Sequence, residues 1–278
     1  MHAAKSAYLV TGPAVVSFSG GRTSALMLRR ILDVGLGADV HVLFANTGKE
    51  RAETLAFVAE CARQWRVDVH WLERMTGGGF REVDHASAAR CGEPFEALIR
   101  QRRFLPNPVT RFCTQELKIR VMRDWMKARG YEHWTNVVGL RADEPRRVAR
   151  QRATEGRDRW DLQFPLYDAG VTVEDVREFW RRQPFDLRLN PWEGNCDLCF
   201  LKGRAKRERI MRDRPDLAAW WIEREEEVRA GGTATFRQDA PPYRDLLALS
   251  QRAMLPFDPF DLDGIDDIGD CTCDMEAA

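Results

Sequence analysis

Apolar positions in the first half of the chain follow two alternating rhythms. Ala14-Val15-Val16-Ser17-Phe18 and Val40-His41-Val42-Leu43-Phe44-Ala45 are short, nearly continuous apolar runs, the pattern of strands covered on both faces. Val67-Asp68-Val69-His70-Trp71-Leu72 alternates at a period of two, and residues 134–140 read as a fourth strand. Between the strands the period lengthens. From Ala25 onward, Leu26, Met27 and Leu32 alternate with Arg29 and Arg30, and Leu55, Val58, Ala59, Ala62 and Trp65 recur at three- and four-residue steps, so helices are predicted. Residues 94–104 and 115–129 also read as helices, whereas residues 75–80, with three consecutive glycines, read as a flexible loop.

Strand–helix alternation of this kind predicts an α/β fold with a doubly wound, mainly parallel sheet. Ligands in such sheets bind beyond the carboxyl ends of the strands. Three predicted strand ends carry polar residues there: Ser19-Gly20-Gly21, Asn46-Thr47-Gly48 and Arg141-Ala142-Asp143-Glu144. They are expected to meet in one crevice. From about Asp161 the rhythm changes. Thr172 is placed to cap a helix containing Val176, Phe179 and Trp180, and a loop then leads to Trp192-Glu193-Gly194-Asn195-Cys196. Residues 201–229 are helix-rich, with Trp220 and Trp221 expected to pack on a core, and the chain from Pro241 onward reads as irregular. The expected organisation is a nucleotide-binding α/β region at 1–160 and a helical, cysteine-containing region with an acidic tail at 161–278, packed as one unit.

Composition narrows the class. A chain of 278 residues, 44% hydrophobic and 31% charged, suits a soluble protein with one large domain and at most a small appendage. No apolar run is long enough to span a bilayer, so no membrane partner is expected. Residues 1–11 lack the apolar centre of a signal peptide, which makes the cytoplasm the expected location. Seven cysteines without a secretory signal then point to metal or redox chemistry in place of a disulfide framework. The net charge of zero conceals an asymmetry. Residues 100–152 hold 14 Lys/Arg against 5 Asp/Glu, and residues 255–278 hold 8 Asp/Glu and no Lys/Arg.

The most informative chemistry lies at the first strand-to-helix junction. Glycines let the backbone approach a ligand closely, the first N–H groups of a helix point outward unpaired, and such a terminus attracts phosphate or sulfate. The hydroxyls of Ser19, Thr23 and Ser24 add donors. No Gly-Lys-Ser/Thr follows, so this is not a Walker loop, and neither the G-x-G-x-x-G nor the Gly-x-Ser-x-Gly spacing is present. A plain turn rich in small residues is the competing reading. The sequence Ser19-Gly20-Gly21-Arg22-Thr23-Ser24 resembles the PP-loop of the adenine-nucleotide alpha-hydrolases, with Thr23 where that loop usually has Asp. The superfamily includes ATP pyrophosphatases, tRNA sulfurtransferases and phosphoadenosine phosphosulfate (PAPS) reductases. The resemblance implies that Ser17, Ser19, Gly20, Gly21, Arg22, Thr23 and Ser24 hold phosphates, with Mg²⁺ neutralising the pyrophosphate, and that Asn46, Thr47 and Gly48 face the nucleoside. Gly139, Arg141, Glu144 and Arg147 are similar to the G-x-R-x-x-E-x-x-R segment of PAPS reductase relatives, which implies a ligand role for Arg141. Arg146, Arg150 and Arg152 follow it, and a solvated helix face or contact with a nucleic-acid backbone suits them as well.

The cysteines form the second constellation. Cys196-Asp197-Leu198-Cys199 is a C-x-x-C, a spacing at which two thiolates grip one metal or one cluster face; a thioredoxin-like pair would normally follow the first strand. Cys113 stands at the start of a predicted helix beside Arg111, with Lys118 close in sequence, surroundings that favour a thiolate. The run Arg111-Phe112-Cys113-Thr114 to Leu117-Lys118, followed by the C-x-x-C, resembles the assimilatory adenylylsulfate reductases, whose Cys-Cys pair and later C-x-x-C hold a [4Fe–4S] cluster. Thr114 replaces the second cysteine of that pair. The resemblance therefore implies Cys113, Cys196 and Cys199 as cluster ligands, with Cys271 or Cys273 of the tail as a fourth, or none; structural zinc is the alternative for the trio. The reductase tail motif Glu-Cys-Gly-Leu/Ile-His is absent, and the acidic tail with Cys271-Thr272-Cys273 is instead expected to fold over the basic middle and bring one or both cysteines near the crevice. Cys61 reads as a structural thiol, Cys91 as a loop residue, and His41 and His70 as packing residues.

Two enzymatic outcomes follow from the resemblance. In the favoured one, ATP binds, an acceptor is adenylated with release of pyrophosphate, and sulfur transfer is assisted by the cluster; Ser19, Arg141 and Cys273 are the catalytic candidates. In the other, adenylylsulfate or its 3′-phosphorylated form is reduced to sulfite. The complete Ser-Gly-Gly-x-Thr-Ser loop and the missing reductase tail favour the first. A non-catalytic nucleotide- and cluster-binding redox sensor is a third reading. The partners implied are an adenine nucleotide and a sulfur donor or reductant such as a cysteine desulfurase or thioredoxin-like protein, with a tRNA, DNA or small-molecule acceptor left open.

Overall fold

The structure, a computed structural model, describes residues 7–229 and 234–252. Six strands form one sheet: β1 (Ala14–Ser17), β2 (Val40–Ala45), β3 (Val69–Arg74), β4 (Phe80–Val83), β5 (Trp134–Val137) and β6 (Trp160–Gln163), in the order β4-β3-β2-β1-β5-β6. Every pairing is parallel except the β3–β4 hairpin. The fold is therefore the expected α/β class. The chain winds outward from β1 to β3 and then returns to the other side of β1 as β5, so the switch point lies between β1 and β5.

Alternate residues of the strands feed two separate cores, as a strand's period of two requires. Ala14, Val16, Val40, Val42, Phe44, Val69 and Trp71 pack on one face with α1 (Arg22–Val34) and α2 (Ala52–Trp65). Val15, Leu43, Ala45 and Leu72 point the other way. There they meet Val121, Met122, Trp125 and Met126 of α5 (Arg120–Ala128). Burying both faces explains why these strands read as continuous apolar runs.

Two strands differ from the sequence reading, and both lie at edges. β4 follows the triple-glycine segment taken for a loop alone; Gly77, Gly78 and Gly79 all adopt positive φ and turn the chain back onto β3. β6 is short, only partly buried and interrupted by polar residues, so it carries little apolar signal.

The remaining helices are α3 (Glu93–Arg102), α4 (Phe112–Thr114), α6 (Pro145–Arg152), α7 (Pro165–Asp168), α8 (Val173–Arg181), α9 (Arg204–Asp213), α10 (Ala218–Arg229) and α11 (Tyr243–Gln251). A π-helical stretch, Gln115–Ile119, joins α4 to α5. Thr172 is the N-cap of α8, and its backbone N–H and hydroxyl both donate to Asp175 Oδ2, at 2.8 and 2.7 Å. A further core gathers Phe95, Leu98, Phe112 and Leu117 with Leu198, Phe200, Trp221, Phe236 and Tyr243. It draws on both sides of position 160, and β6 crosses that position. Trp221 is fully buried there, as expected, stacked on Tyr243 at 5.3 Å. Tyr243 belongs to α11, a helix in the segment that had read as irregular; Tyr243, Leu246 and Ser250 are its buried residues. No helix among the described residues is long and apolar enough to cross a membrane. The acidic tail lies outside the described residues.

Candidate functional site

The turn after β1 is built to be tight. Phe18 N–H still bonds Leu43 C=O at 3.0 Å, and Gly20 then takes φ +78°. A Cβ on Gly20 would stand 2.7 Å from Thr54 Cγ2 and 2.9 Å from Val58 Cγ2, so α2 presses directly on the turn. Helix α1 begins after Gly21 with no side-chain cap and no acidic residue in its first turn, a kind of helix start that suits an anion. Ser24 Oγ donates to Gly21 C=O at 3.0 Å and lies 2.9 Å from Ser19 Oγ. A Cβ on Gly139 would sit 3.2 Å from Ser24 Cα, so the chain leaving β5 abuts the first turn of α1. Ser17 is the last residue of β1, beneath this turn.

Several of the expected nucleotide residues are interior braces. Arg22 sends its guanidinium to Asp186, with paired bonds of 2.7 and 2.6 Å. Arg141 is 2% exposed; it donates to Asp143 Oδ1 at 2.9 Å and to Thr23 Oγ1 at 3.3 Å. Glu144 accepts the Arg141 backbone N–H at 3.0 Å and pairs with Arg147. Asn46, fully buried, donates to Glu73 Oε1 at 2.6 Å and Ala89 C=O at 2.9 Å, while its Oδ1 accepts from Gly48 N–H at 3.1 Å. Thr47 donates through both N–H and Oγ1 to Glu50 Oε2, each at 2.8 Å. Gly48 has φ +81° and packs on Gly92 and Pro94. Arg141 and Thr23 thus tie the end of β5 to the first turn of α1, while Asn46 and Thr47 are held by Glu73, Ala89 and Glu50.

The cysteines come to the same place by a route that the sequence spacing did not disclose. The segment after β2 and the C-x-x-C loop run antiparallel, bridged at Glu50 and Cys196. Arg51 N–H donates to Asn195 C=O at 2.6 Å, and Asp197 N–H donates to Lys49 C=O at 3.0 Å. Asn195 Nδ2 reaches Ser19 C=O in the glycine turn at 2.8 Å. Lys49 and Asp197, both buried, pair at 2.8 Å, and Trp221 Nε1 donates to Asp197 at 2.8 Å. Asn195, Asp197 and Lys49 were missed because each is an ordinary polar residue until the fold brings them together.

One small cavity is lined by Cys113, Cys196 and Cys199 together with Thr47, Thr114 and Lys118. Thr47, just past the end of β2, therefore borders the thiols. Thr114 Oγ1 is buried there without a hydrogen-bond partner. The hydrogen bond with Cys199 lowers the Cys196 thiol pKa, but burial and the charges of Asp197 and Glu50 outweigh it, so the net shift is upward. Among the described residues, no three His, Cys, Asp or Glu side chains stand in position to hold a single metal ion. Cys271 and Cys273 lie outside the described residues. Cys61 is fully buried with its thiol pushed up by burial, as a packing thiol should be, and Cys91 is exposed. His41 contacts Tyr131 Oη at 3.1 Å and the Trp125 ring edge-on, and His70 contacts Glu82 at 3.2 Å, so both pack as expected.

A glycine–hydroxyl turn at the carboxyl edge of β1, in a sheet that reverses direction beside it, defines the PP-loop class of nucleotide-binding α/β proteins. The chain belongs to the phosphoadenosine phosphosulfate reductase domain family, whose model matches residues 13–191. It is also 30% identical over 208 residues to the uncharacterized nin region protein ORF290 of Escherichia phage lambda, a match covering 69% of this chain and 67% of that one.

Proposed function

We propose that this protein binds ATP at the glycine turn, adenylates an acceptor with release of pyrophosphate, and assists sulfur transfer through a [4Fe–4S] cluster held by Cys113, Cys196 and Cys199. The observation that carries the reading is the stitching of the C-x-x-C loop to the nucleotide edge. Asn195 bonds Ser19, Lys49 pairs with Asp197, and Thr47, just past the end of β2, borders the thiol cavity. Thiol chemistry would then occur beside the adenylate.

The residues fall into two tasks. Ser19, Gly20, Gly21, Thr23 and Ser24 supply the preorganised donors for the phosphates. Arg141, buried beside Thr23, holds that residue and the Asp143–Glu144 loop in place. Mg²⁺, when bound, would supply charge neutralisation for the pyrophosphate. Asp143 and Glu144 are already engaged by Arg141 and Arg147, so the ion would arrive on the nucleotide.

Three soft thiol ligands border one small cavity, a donor set that suits an iron–sulfur cluster, with zinc the alternative for the trio. When bound, the cluster would supply a soft iron site for sulfur, and the unpartnered Thr114 hydroxyl occupies the position where a fourth thiol would stand.

The test is anaerobic purification with iron and zinc analysis, followed by separate incubation with ATP and with adenylylsulfate while pyrophosphate and sulfite are assayed. Pyrophosphate from ATP, with about four irons per chain, is the expected result. Sulfite from adenylylsulfate without pyrophosphate from ATP would replace this reading with reduction, and zinc without iron would remove the cluster.

A further inference from the structure

A second cavity, of about 410 Å³, opens beyond the carboxyl end of β3 and lies within the size range of ligand sites. Its walls carry Arg74, Arg102, Arg120 and Arg123, with Glu116 and Asp124, and the Gly77-Gly78-Gly79 turn borders it. Glu116 is buried and serves three guanidiniums at once: it accepts from Arg102, accepts from Arg120 at 2.7 Å, and pairs with Arg74 at 3.6 Å. Arg74, itself 8% exposed, is fixed further by Gln101 Oε1 at 2.8 Å and the Met75 carbonyl at 3.1 Å. Arg123 is paired with Asp124 at 2.8 Å.

Four guanidiniums face two carboxylates, so the cavity holds a surplus of two positive charges. Each guanidinium carries five N–H donors in a planar fork, more than two carboxylates can accept. A buried carboxylate that orients three arginines has the effect of preorganising them toward a further anion. At Gly77 and Gly78 an added Cβ would meet nothing, so the turn leaves the cavity rim clear of side chains. The opposite face of the same helical segment, through Thr114, Leu117 and Lys118, lines the thiol cavity.

We propose that this arginine cavity is a phosphate-binding site separate from the glycine turn, suited to a phosphate of a nucleic-acid backbone or of a small phosphorylated ligand. The inference does not rest on the ATP or cluster reading.

The experiment uses the full chain and measures binding of inorganic phosphate by calorimetry and of a labelled single-stranded oligonucleotide of about 12 nucleotides by anisotropy, across a salt series. The variants are Arg102→Gln/Arg120→Gln at the rim and, as a charge-matched control, Arg181→Gln/Arg182→Gln at the C-terminal end of α8. Thermal unfolding verifies that each is folded. The rim variant is expected to weaken binding at least about tenfold, and for the oligonucleotide to flatten the log–log salt slope by about 1.4, two contacts' worth for a single strand. The control should behave as wild type. Loss of both probes in the rim variant assigns a nucleic-acid phosphate. Loss of phosphate binding, with no oligonucleotide binding in wild type, assigns a small ligand. If wild type binds neither probe, or if folded rim and control variants bind alike, the proposal is overturned. Binding of ATP should be the same in wild type and rim variant, which separates failure here from failure of the nucleotide reading.

Discussion

Gly20→Ala tests whether the turn is as tightly clamped as the geometry says. Two costs are expected. An alanine at φ +78° pays left-handed strain of about 1–2 kcal/mol. Its methyl would also enter space held by Thr54 and Val58, 2.7 and 2.9 Å away, adding about 1–3 kcal/mol of overpacking. Gly12 isolates the second cost, because its φ is +74° and an added Cβ there would meet nothing within 4 Å. The loss of unfolded-chain entropy is common to both substitutions and cancels in the difference. Urea unfolding followed by tryptophan fluorescence should therefore place Gly20→Ala about 1–3 kcal/mol below Gly12→Ala, a large share of the roughly 5–15 kcal/mol typical of a domain. Nucleotide affinity should fall with Gly20→Ala and stay unchanged with Gly12→Ala. Equal stabilities within about 0.5 kcal/mol would refute the claim that α2 clamps the turn.

Lys49→Met should destabilise by about 3–5 kcal/mol, because it leaves Asp197 charged and buried; chemical denaturation measures this, and the double variant Lys49→Met/Asp197→Leu should recover part of the loss. Thr172→Ala should cost about 1 kcal/mol at neutral pH by removing the hydroxyl bond to Asp175. The backbone and side-chain bonds from Thr172 hold the Asp175 carboxyl below its ordinary 3.8, so its stabilisation is present above that value and is lost as pH falls through the lowered pKa. The gap between wild type and Thr172→Ala should accordingly shrink in acid, as thermal unfolding over a pH series would show. Arg22→Gln should lower stability by breaking the contact with Asp186, and should weaken nucleotide binding less than Ser24→Ala, since its guanidinium is already paired with Asp186.

The central strands and the glycine turn were legible because burial on both faces and backbone approach leave marks in local composition. The edge strands β4 and β6 were not, since each is short and only partly buried. Helix α11 was obscured by the proline and aspartate around it, although Tyr243 and Leu246 anchor it in a core. Within the site, residue types pointed to phosphate and thiol chemistry, but the division of labour was hidden. Arg22, Asn46 and Arg141 read as ligand contacts in sequence, and what local sequence hid is that each also bonds a distant residue, since Asp186, Glu73 and Thr23 are 27 to 164 residues away. The joining of the C-x-x-C loop to the glycine turn depends on Asn195 and Lys49, which carry no motif.

The central claim is that nucleotide and thiol-bound metal share one site. Its most direct test is titration of the anaerobically purified protein with Mg-ATP, recording the visible and electron-paramagnetic spectra of the metal centre while calorimetry reports nucleotide occupancy. The account predicts a spectral change that saturates with occupancy and is lost in Ser24→Ala. Full occupancy with an unchanged spectrum would contradict it.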